Sequence, residues 1–215
     1  MITLENVTKV YHTRSGPRQV LDGISFSIRR GQSIGIMGRN GAGKSTLTRL
    51  ISGVEFPTSG NIERGMTTSW PLGYSGALQA SLSGADNVRY MARIYGRPIE
   101  ETLEFVEDFA ELGAYFRMPV KTYSAGMHAR LAFGASLAVD FDCYIIDEMT
   151  GAGDHRFAER CQRALLERRE RGSLIMISHD IHTLEAYCET GAILHDGKYT
   201  SYDNMSDTID AYHAL

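Results

Sequence analysis

Nowhere in its 215 residues does this chain carry the run of about eighteen uninterrupted apolar residues that a membrane-crossing helix needs. Its N-terminus lacks a secretory apolar core as well, because Glu5 and Lys9 break the apolar residues there. A soluble, cytosolic chain is the expectation. Cysteine is scarce: Cys143, Cys161 and Cys188 are odd in number, far apart and free of C-x-x-C spacing. That argues against a disulfide framework or a zinc site and leaves buried, reduced thiols. His179 and His182 stand three apart without a third ligand pattern nearby, so they do not spell a metal site. Excess positive charge is missing too. A formal net charge of −4 argues against a general nucleic-acid binder, which would present a basic face. No internal repeat and no disordered tail is visible. What remains is ordinary for a globular protein, with 43% hydrophobic and 22% charged residues, and the chain is long enough to bury a substantial core.

The most specific feature is Gly38-Arg39-Asn40-Gly41-Ala42-Gly43-Lys44-Ser45-Thr46, which fits G-x-x-x-x-G-K-[ST], the phosphate-binding P-loop. Its context is the one that motif requires. Ser33-Ile34-Gly35-Ile36-Met37 before it reads as a buried strand, and Leu47 to Ile51 after it is apolar at helical spacing, closed by Gly53. Gly38, Gly41 and Gly43 let the backbone wrap closely and aim successive N–H groups at phosphates at a helix N-terminus. Lys44 would reach the β- and γ-phosphates, and the Ser45 hydroxyl would ligate Mg²⁺. Nucleotide binding is expected of Gly38, Asn40, Gly41, Ala42, Gly43, Lys44, Ser45 and Thr46.

Ahead of the loop, Ile2 to Tyr11 and Val20 to Ile28 read as two antiparallel strands around a Ser15-Gly16-Pro17 turn. Tyr11 ends the first. It is either a half-buried strand-end tyrosine or an aromatic that folds over the P-loop to stack on a nucleobase. Beyond the loop, Asn61-Ile62-Glu63 is a brief strand. Trp70-Pro71-Leu72-Gly73 leads into a long Gly/Ser-rich loop that contains the isolated Gln79. Ser83-x-x-Asp86 starts a helix carrying Val88, Met91, Ala92 and Tyr95, and a second amphipathic helix runs from about Ile99 to Leu112. Neither fits β-α-β alternation, so residues from about 83 to 135 are predicted to be a helical insertion in an α/β chain. Ser124 N-caps a third helix. Cys143 to Ile146 is a buried strand ending in Asp147-Glu148, residues 155 to 171 form a charged helix, and Leu174 to Ile177 is a buried strand ending at Ser178-His179-Asp180.

In a parallel α/β sheet, ligands bind at the carboxyl ends of the strands. One edge therefore receives a phosphate cradle, two acids and a histidine. Asp147 would hold Mg²⁺, Glu148 would polarise the attacking water, and His179 would contact the γ-phosphate. Taken singly, the acid pair also reads as helix N-terminal acids and the histidine as part of a strand-to-helix cap.

With these landmarks in place, the sequence resembles the ATP-binding subunits of ABC transporters over essentially its whole length. In order come an adenine-stacking aromatic at Tyr11, the P-loop, a Q-loop glutamine at Gln79, and a helical subdomain. A signature at Tyr123-Ser124-Ala125-Gly126-Met127, Asp147-Glu148, a D-loop ending in Asp154, and a switch histidine at His179 follow. The resemblance implies a RecA-like P-loop NTPase core with an antiparallel β edge and an inserted α-helical subdomain. All of it forms one nucleotide-binding domain over 1–215, with core about 1–82 and 136–215 and helical subdomain about 83–135. It implies ATP and Mg²⁺ as ligands, with Gln79 joining Ser45 and Asp147 at the metal and Lys44, Gln79, Glu148 and His179 in the catalytic set. It also implies a head-to-tail homodimer in which Ser124 and Gly126 bind the γ-phosphate held by the other copy.

Two departures stand out. The family's LSGGQ signature reads Tyr-Ser-Ala-Gly-Met here, keeping the Ser124 and Gly126 that touch phosphate, and the usual SALD D-loop reads Gly151-Ala152-Gly153-Asp154. An active but slower site is the expectation. These departures, with Ser69-Trp70-Pro71, look like exporters of capsular polysaccharide and related surface glycans in Gram-negative bacteria. Ending at Leu215, the chain looks like their short form without a C-terminal sugar-binding domain. A separate integral membrane permease would dock near Gln79 and the Tyr90–Tyr95 helix and hold the chain at the cytoplasmic face of the inner membrane. Soluble ABC-type ATPases that act on DNA or ribosomes usually carry coiled-coil or zinc insertions, or two ATPase domains, and none is visible. A silent regulatory subunit is opposed by intact Lys44, Asp147, Glu148 and His179.

Overall fold

The computed structural model describes residues 1–74, 76, 78–147 and 155–215. Two compact units divide the chain. The first takes Met1–Pro71, the stretch around residues 141–147, and Leu166–Leu215; the second takes Leu72–Asp140 and the described residues up to Leu165.

Two sheets build the first unit. Ile2–Thr13 (β1) pairs antiparallel with Gly16–Ile28 (β2) on one side. A later strand, Ser59–Arg64, numbered β4 in chain order, pairs with it on the other. The second strand starts four residues before the Val20 expected. The apparent breaker Pro17 is tolerated because β2 is an edge strand, where a missing N–H costs little.

The second sheet is six-stranded. Its central strand, Ser33–Met37 (β3), is buried at all five positions, as a continuous apolar run in a parallel sheet should be. Thr68–Pro71 (β5), Cys143–Asp147 (β6), Ser173–Ile177 (β7), Thr190–His195 (β8) and Lys198–Tyr202 (β9) complete it in the order β5-β6-β7-β3-β8-β9. All pairs are parallel except β8 with β9. Strand β5 replaces the start of the expected loop. Pro71 again reads as a breaker, yet it ends an edge strand, and the fully buried Ser69 accepts the Ile145 N–H through Oγ at 2.9 Å. Ile34, Ile36, Ile145, Ile175 and Ile177 meet Leu47, Leu50 and Ile51 of the helix Lys44–Ile51 (α1) in one core. Each such side chain contributes about 1.5–3 kcal/mol on burial.

The second unit is helical. Gly84–Ile94 (α2), Ile99–Ala110 (α3) and Ala125–Leu137 (α4) bury Val88, Leu103, Val106, Phe116, Tyr123 and Leu131 in a separate cluster. The charged helix His155–Arg171 (α5) begins in this unit, where Arg160 pairs with Asp108 and Glu111. Ile181–Tyr187 (α6) and Met205–His213 (α7) belong to the first unit. Cys143, Cys161 and Cys188 are buried free thiols, and burial pushes each up to about 12. Among the described residues no helix is long and apolar enough to cross a membrane.

Candidate functional site

The first unit gathers the candidate site by strand register alone. Asp147 on β6 pairs with Ile177 on β7, and Ile177 pairs with Ile36 on β3, so the three lie in one row across adjacent parallel strands. Gly38 follows Ile36 by two residues, and His179 follows Ile177 by two. At about 4.8 Å per strand, the P-loop, the Asp147 carboxyl and His179 leave the same sheet edge within about 10 Å of one another. Asp147 is half-buried and His179 is exposed.

Three glycines shape the loop between β3 and α1, and two of them, Gly38 and Gly43, are too closely packed to take a side chain without a shift. Gly43, the N-cap of α1, sits at φ +104° and makes no side-chain capping bond, which leaves that helix end to a ligand. A side chain there would meet Val20 and Leu21 at 3.0 Å. Gly41 has φ +84° with open space around it, and any Cβ at Gly38 would overlap the Leu194 carbonyl. Lys44 arches back over the loop, its Nζ donating to the carbonyls of Gly38 at 2.7 Å and Arg39 at 3.2 Å. Beside the loop opens a cavity of about 450 Å³ whose walls include Arg18, Val20, Arg39, Asn40, Ala42 and His195. A backbone cradle on a helix N-terminus, a lysine and an adjacent cavity fit a nucleoside triphosphate. The exposed Ser45 hydroxyl and the Asp147 carboxylate are hard oxygen donors of the kind Mg²⁺ takes.

Tyr11 is anchored at its hydroxyl. It donates to Glu55 Oε2 at 2.6 Å, accepts from Arg49 Nη2 at 3.2 Å and lies 3.5 Å from Thr46 Oγ1 of the P-loop. Burial pushes the Glu55 carboxyl up, but hydrogen bonds from Tyr11 and Lys9 and the charges of Arg49 and Lys9 together bring it below the ordinary carboxylate range. Reading the sequence did not single out Glu55 or Arg49. Their proximity to Tyr11 depends on the turn after α1 folding back to β1, where Thr58 N–H donates to the Thr8 carbonyl and Thr58 Oγ1 accepts from Val10 N–H.

Gln79 and the signature belong to the second unit. The Gln79 side chain is exposed, while its backbone is gripped by Asn87: the Gln79 N–H donates to Asn87 Oδ1 at 2.7 Å and the Asn87 amide returns a bond to the Gln79 carbonyl at 3.1 Å. Asn87 is buried and was not anticipated; its place one turn inside α2 looks from sequence like an ordinary polar position. Ser124 is exposed and caps α4, accepting from Met127 N–H at 3.2 Å, as the pattern predicts. Gly126 lies in the first turn with space around it, the nearest atom to a new Cβ being Ser124 Oγ at 4.0 Å. Tyr123 braces the motif from behind. It is buried, its hydroxyl donates to the Tyr115 carbonyl at 2.7 Å, and burial pushes its phenol up. Glu148 and the D-loop with Asp154 lie outside the described residues.

Comparison with known proteins agrees with this geometry. The family model described as "ABC transporter" matches residues 21–151. The capsule polysaccharide export ATP-binding protein CtrD of Neisseria meningitidis serogroup B is 51% identical over 215 residues, covering 100% of both chains. The polysialic acid transport ATP-binding protein KpsT of Escherichia coli is 45% identical over 99% of this chain and 96% of its own. Among solved structures, the dimeric post-hydrolysis state of the ATP-binding cassette MJ0796 bound to ADP and Pi superposes with a TM-score of 0.82. It has 22% identity, over 94% of this chain and 98% of that one, a likeness of fold. With a family model over more than half its length and relatives matched end to end, this chain belongs to the ABC transporter family.

Proposed function

We propose that this chain is the ATP-hydrolysing subunit of an ABC exporter that moves capsular or related surface polysaccharide across the inner membrane. The observation that carries the proposal is the row Asp147–Ile177–Ile36, which delivers a P-loop, an acid and a histidine to one sheet edge. End-to-end identity to a capsule polysaccharide export protein and a polysialic acid transport protein supports the substrate class. The chain acts as one nucleotide-binding domain, its core about 1–82 and 136–215 and its helical subdomain about 83–135.

The residues divide the work as follows. The backbone of Gly38 to Gly43, which includes Asn40 and Ala42, cradles the phosphates together with Thr46 in the first turn of α1, and Lys44 neutralises the β- and γ-oxygens. Tyr11 stacks on the adenine. Ser45, Asp147 and Gln79 would hold Mg²⁺, which when bound neutralises charge building on the leaving phosphates. Glu148 polarises the attacking water and His179 orients it against the γ-phosphate. Ser124 and Gly126 open a helix N-terminus with no acidic residue in its first turn, a second anion site of the P-loop kind. In a head-to-tail homodimer they meet the γ-phosphate held by the other copy, so hydrolysis removes the bridging charge and the dimer opens.

That opening drives an integral membrane permease. Tyr90 and Ile94, one turn apart on α2, are 63% and 59% exposed, and Tyr95 beside them is 42% exposed, an apolar strip suited to a partner. Through that permease the chain sits at the cytoplasmic face of the inner membrane. Two measurements test the reading. Lys44→Ala should abolish Mg-ATP hydrolysis by the purified protein, and near-normal turnover would sink the P-loop assignment. Loss of the gene should leave polysaccharide trapped inside the cell; unchanged surface glycan would remove the substrate while sparing the ATPase.

A further inference from the structure

Tyr11 is held by more than a strand end. A tyrosine that serves only as a flat stacking surface needs no partner for its hydroxyl, yet this one is fixed from three directions. Glu55 accepts a short hydrogen bond of 2.6 Å from its hydroxyl, the length of a charge-assisted O–H···O⁻ contact. Arg49 donates to the same oxygen at 3.2 Å and to Thr46 Oγ1 at 3.3 Å. Glu55 is itself held by ion pairs, Arg49 Nε to Oε1 at 2.6 Å and Lys9 Nζ to Oε2 at 3.2 Å. Lys9 also lies 5.1 Å from the centre of the Tyr11 ring and donates to the Phe56 carbonyl at 2.8 Å. The cation thus lies over one face of the ring. With its hydroxyl both donating and accepting, the ring cannot swing away without breaking a part-buried charge network.

We propose that Glu55 is a positioning residue for nucleobase recognition: it locks the Tyr11 ring in its stacking orientation and ties it, through Arg49 and Thr46, to the helix that carries the P-loop. The proposal rests on the reading of Tyr11 as the base-stacking residue. Its consequence is specific. Releasing the ring makes the base, and not the phosphates, bear the cost of ordering a free aromatic side chain, equivalent to about three- to tenfold in affinity.

The test compares equilibrium binding of ATP and of inorganic tripolyphosphate to the full chain. Glu55→Ala should weaken ATP about three- to tenfold and leave tripolyphosphate unchanged. Glu55→Gln, which keeps an acceptor but not the charge, should fall between native and Glu55→Ala. Tyr11→Phe combined with Glu55→Ala should bind ATP no more weakly than Glu55→Ala alone, because the hydroxyl has no partner left to lose. Equal losses for both ligands would overturn the proposal and make Glu55 a support for α1 alone, as would unchanged ATP binding in Glu55→Ala. Should Glu55→Ala fail to fold, Glu55→Gln and Tyr11→Phe carry the same comparison. The parent reading fails separately: a native chain that binds ATP no better than tripolyphosphate removes the stacking role of Tyr11, and one that binds neither removes the nucleotide site.

Discussion

Placing a methyl group on two neighbouring P-loop glycines separates what the backbone demands from what the packing demands. Gly41 has φ +84° with nothing within 4 Å of a new Cβ, so Gly41→Ala carries only the strain of an L-residue in left-handed conformation, about 1–2 kcal/mol. Gly43 has φ +104°, and its Cβ would meet Val20 Cγ1 and Leu21 Cδ2 at 3.0 Å and the Val20 carbonyl at 3.1 Å. Val20 and Leu21 lie on β2 and Gly43 is the N-cap of α1, so relief requires moving a strand or the helix start. Overpacking of that kind adds about 1–3 kcal/mol, giving about 2–5 kcal/mol for Gly43→Ala. In urea, at a slope of about 2–3 kcal/mol per molar, Gly43→Ala should lower the midpoint by about 1–2 M and Gly41→Ala by about 0.5 M. ATP binding should weaken in both, because each change shifts the loop backbone whose N–H groups form the proposed phosphate cradle. Equal midpoints for the two variants, or Gly43→Ala within about 0.5 kcal/mol of native, would refute the claim that the β2 wall shapes the P-loop.

Glu148→Gln should retain ATP and accumulate as a dimer in saturating Mg-ATP; a protein that stays monomeric by light scattering would count against the head-to-tail arrangement. Gly126→Ala meets no atom nearer than 4.0 Å within a helix, so its stability in urea should hold or rise by up to about 1 kcal/mol while ATPase activity falls, because in the proposed dimer the methyl group obstructs only the phosphate of the other copy. Full activity in that variant would dissociate Gly126 from catalysis. Asp142 offers a pH test. Hydrogen bonds from the Thr67 N–H at 2.9 Å and the Thr67 hydroxyl at 3.1 Å, and the Arg30 guanidinium at 2.8 Å, hold its carboxyl below the usual range against the pull of partial burial. Its contribution is therefore fully present above the ordinary aspartate value of about 3.9 and is lost as pH falls through the depressed folded value. Asp142→Asn should cost about 1–2 kcal/mol at pH 7, and the gap to native should close in strong acid; a gap independent of pH would rule out the charge as its source.

Much of the fold was legible in the residues because the relevant signals are local. The buried runs Ser33–Met37, Cys143–Ile146 and Leu174–Ile177 are strands by composition, and the caps Ser83 and Ser124 accept from Asp86 and Met127 as their spacing implies. The α/β class and the family follow from these and from the ordered motifs. Strand β5 was not legible, since Pro71 signals a break and only a neighbouring β6 makes an edge strand of it. The early start of β2 at Gly16 escaped for the same reason.

By itself the sequence determined the chemistry: three glycines, Lys44 and Ser45 at motif spacing, an acid after one apolar strand and a histidine after another. These depend on residue type and short separation, which local sterics and hydrogen bonding control. Only the tertiary structure decided who stands beside whom. Asp147, Ile177 and Ile36 share a row because β6, β7 and β3 pair in parallel. Glu55 reaches Tyr11 across 44 residues of sequence, and Val20 and Leu21 on β2 leave no room for a side chain at Gly43. Those neighbours are set by packing and by the closure of long loops, and packing depends on the whole chain rather than on any stretch of it.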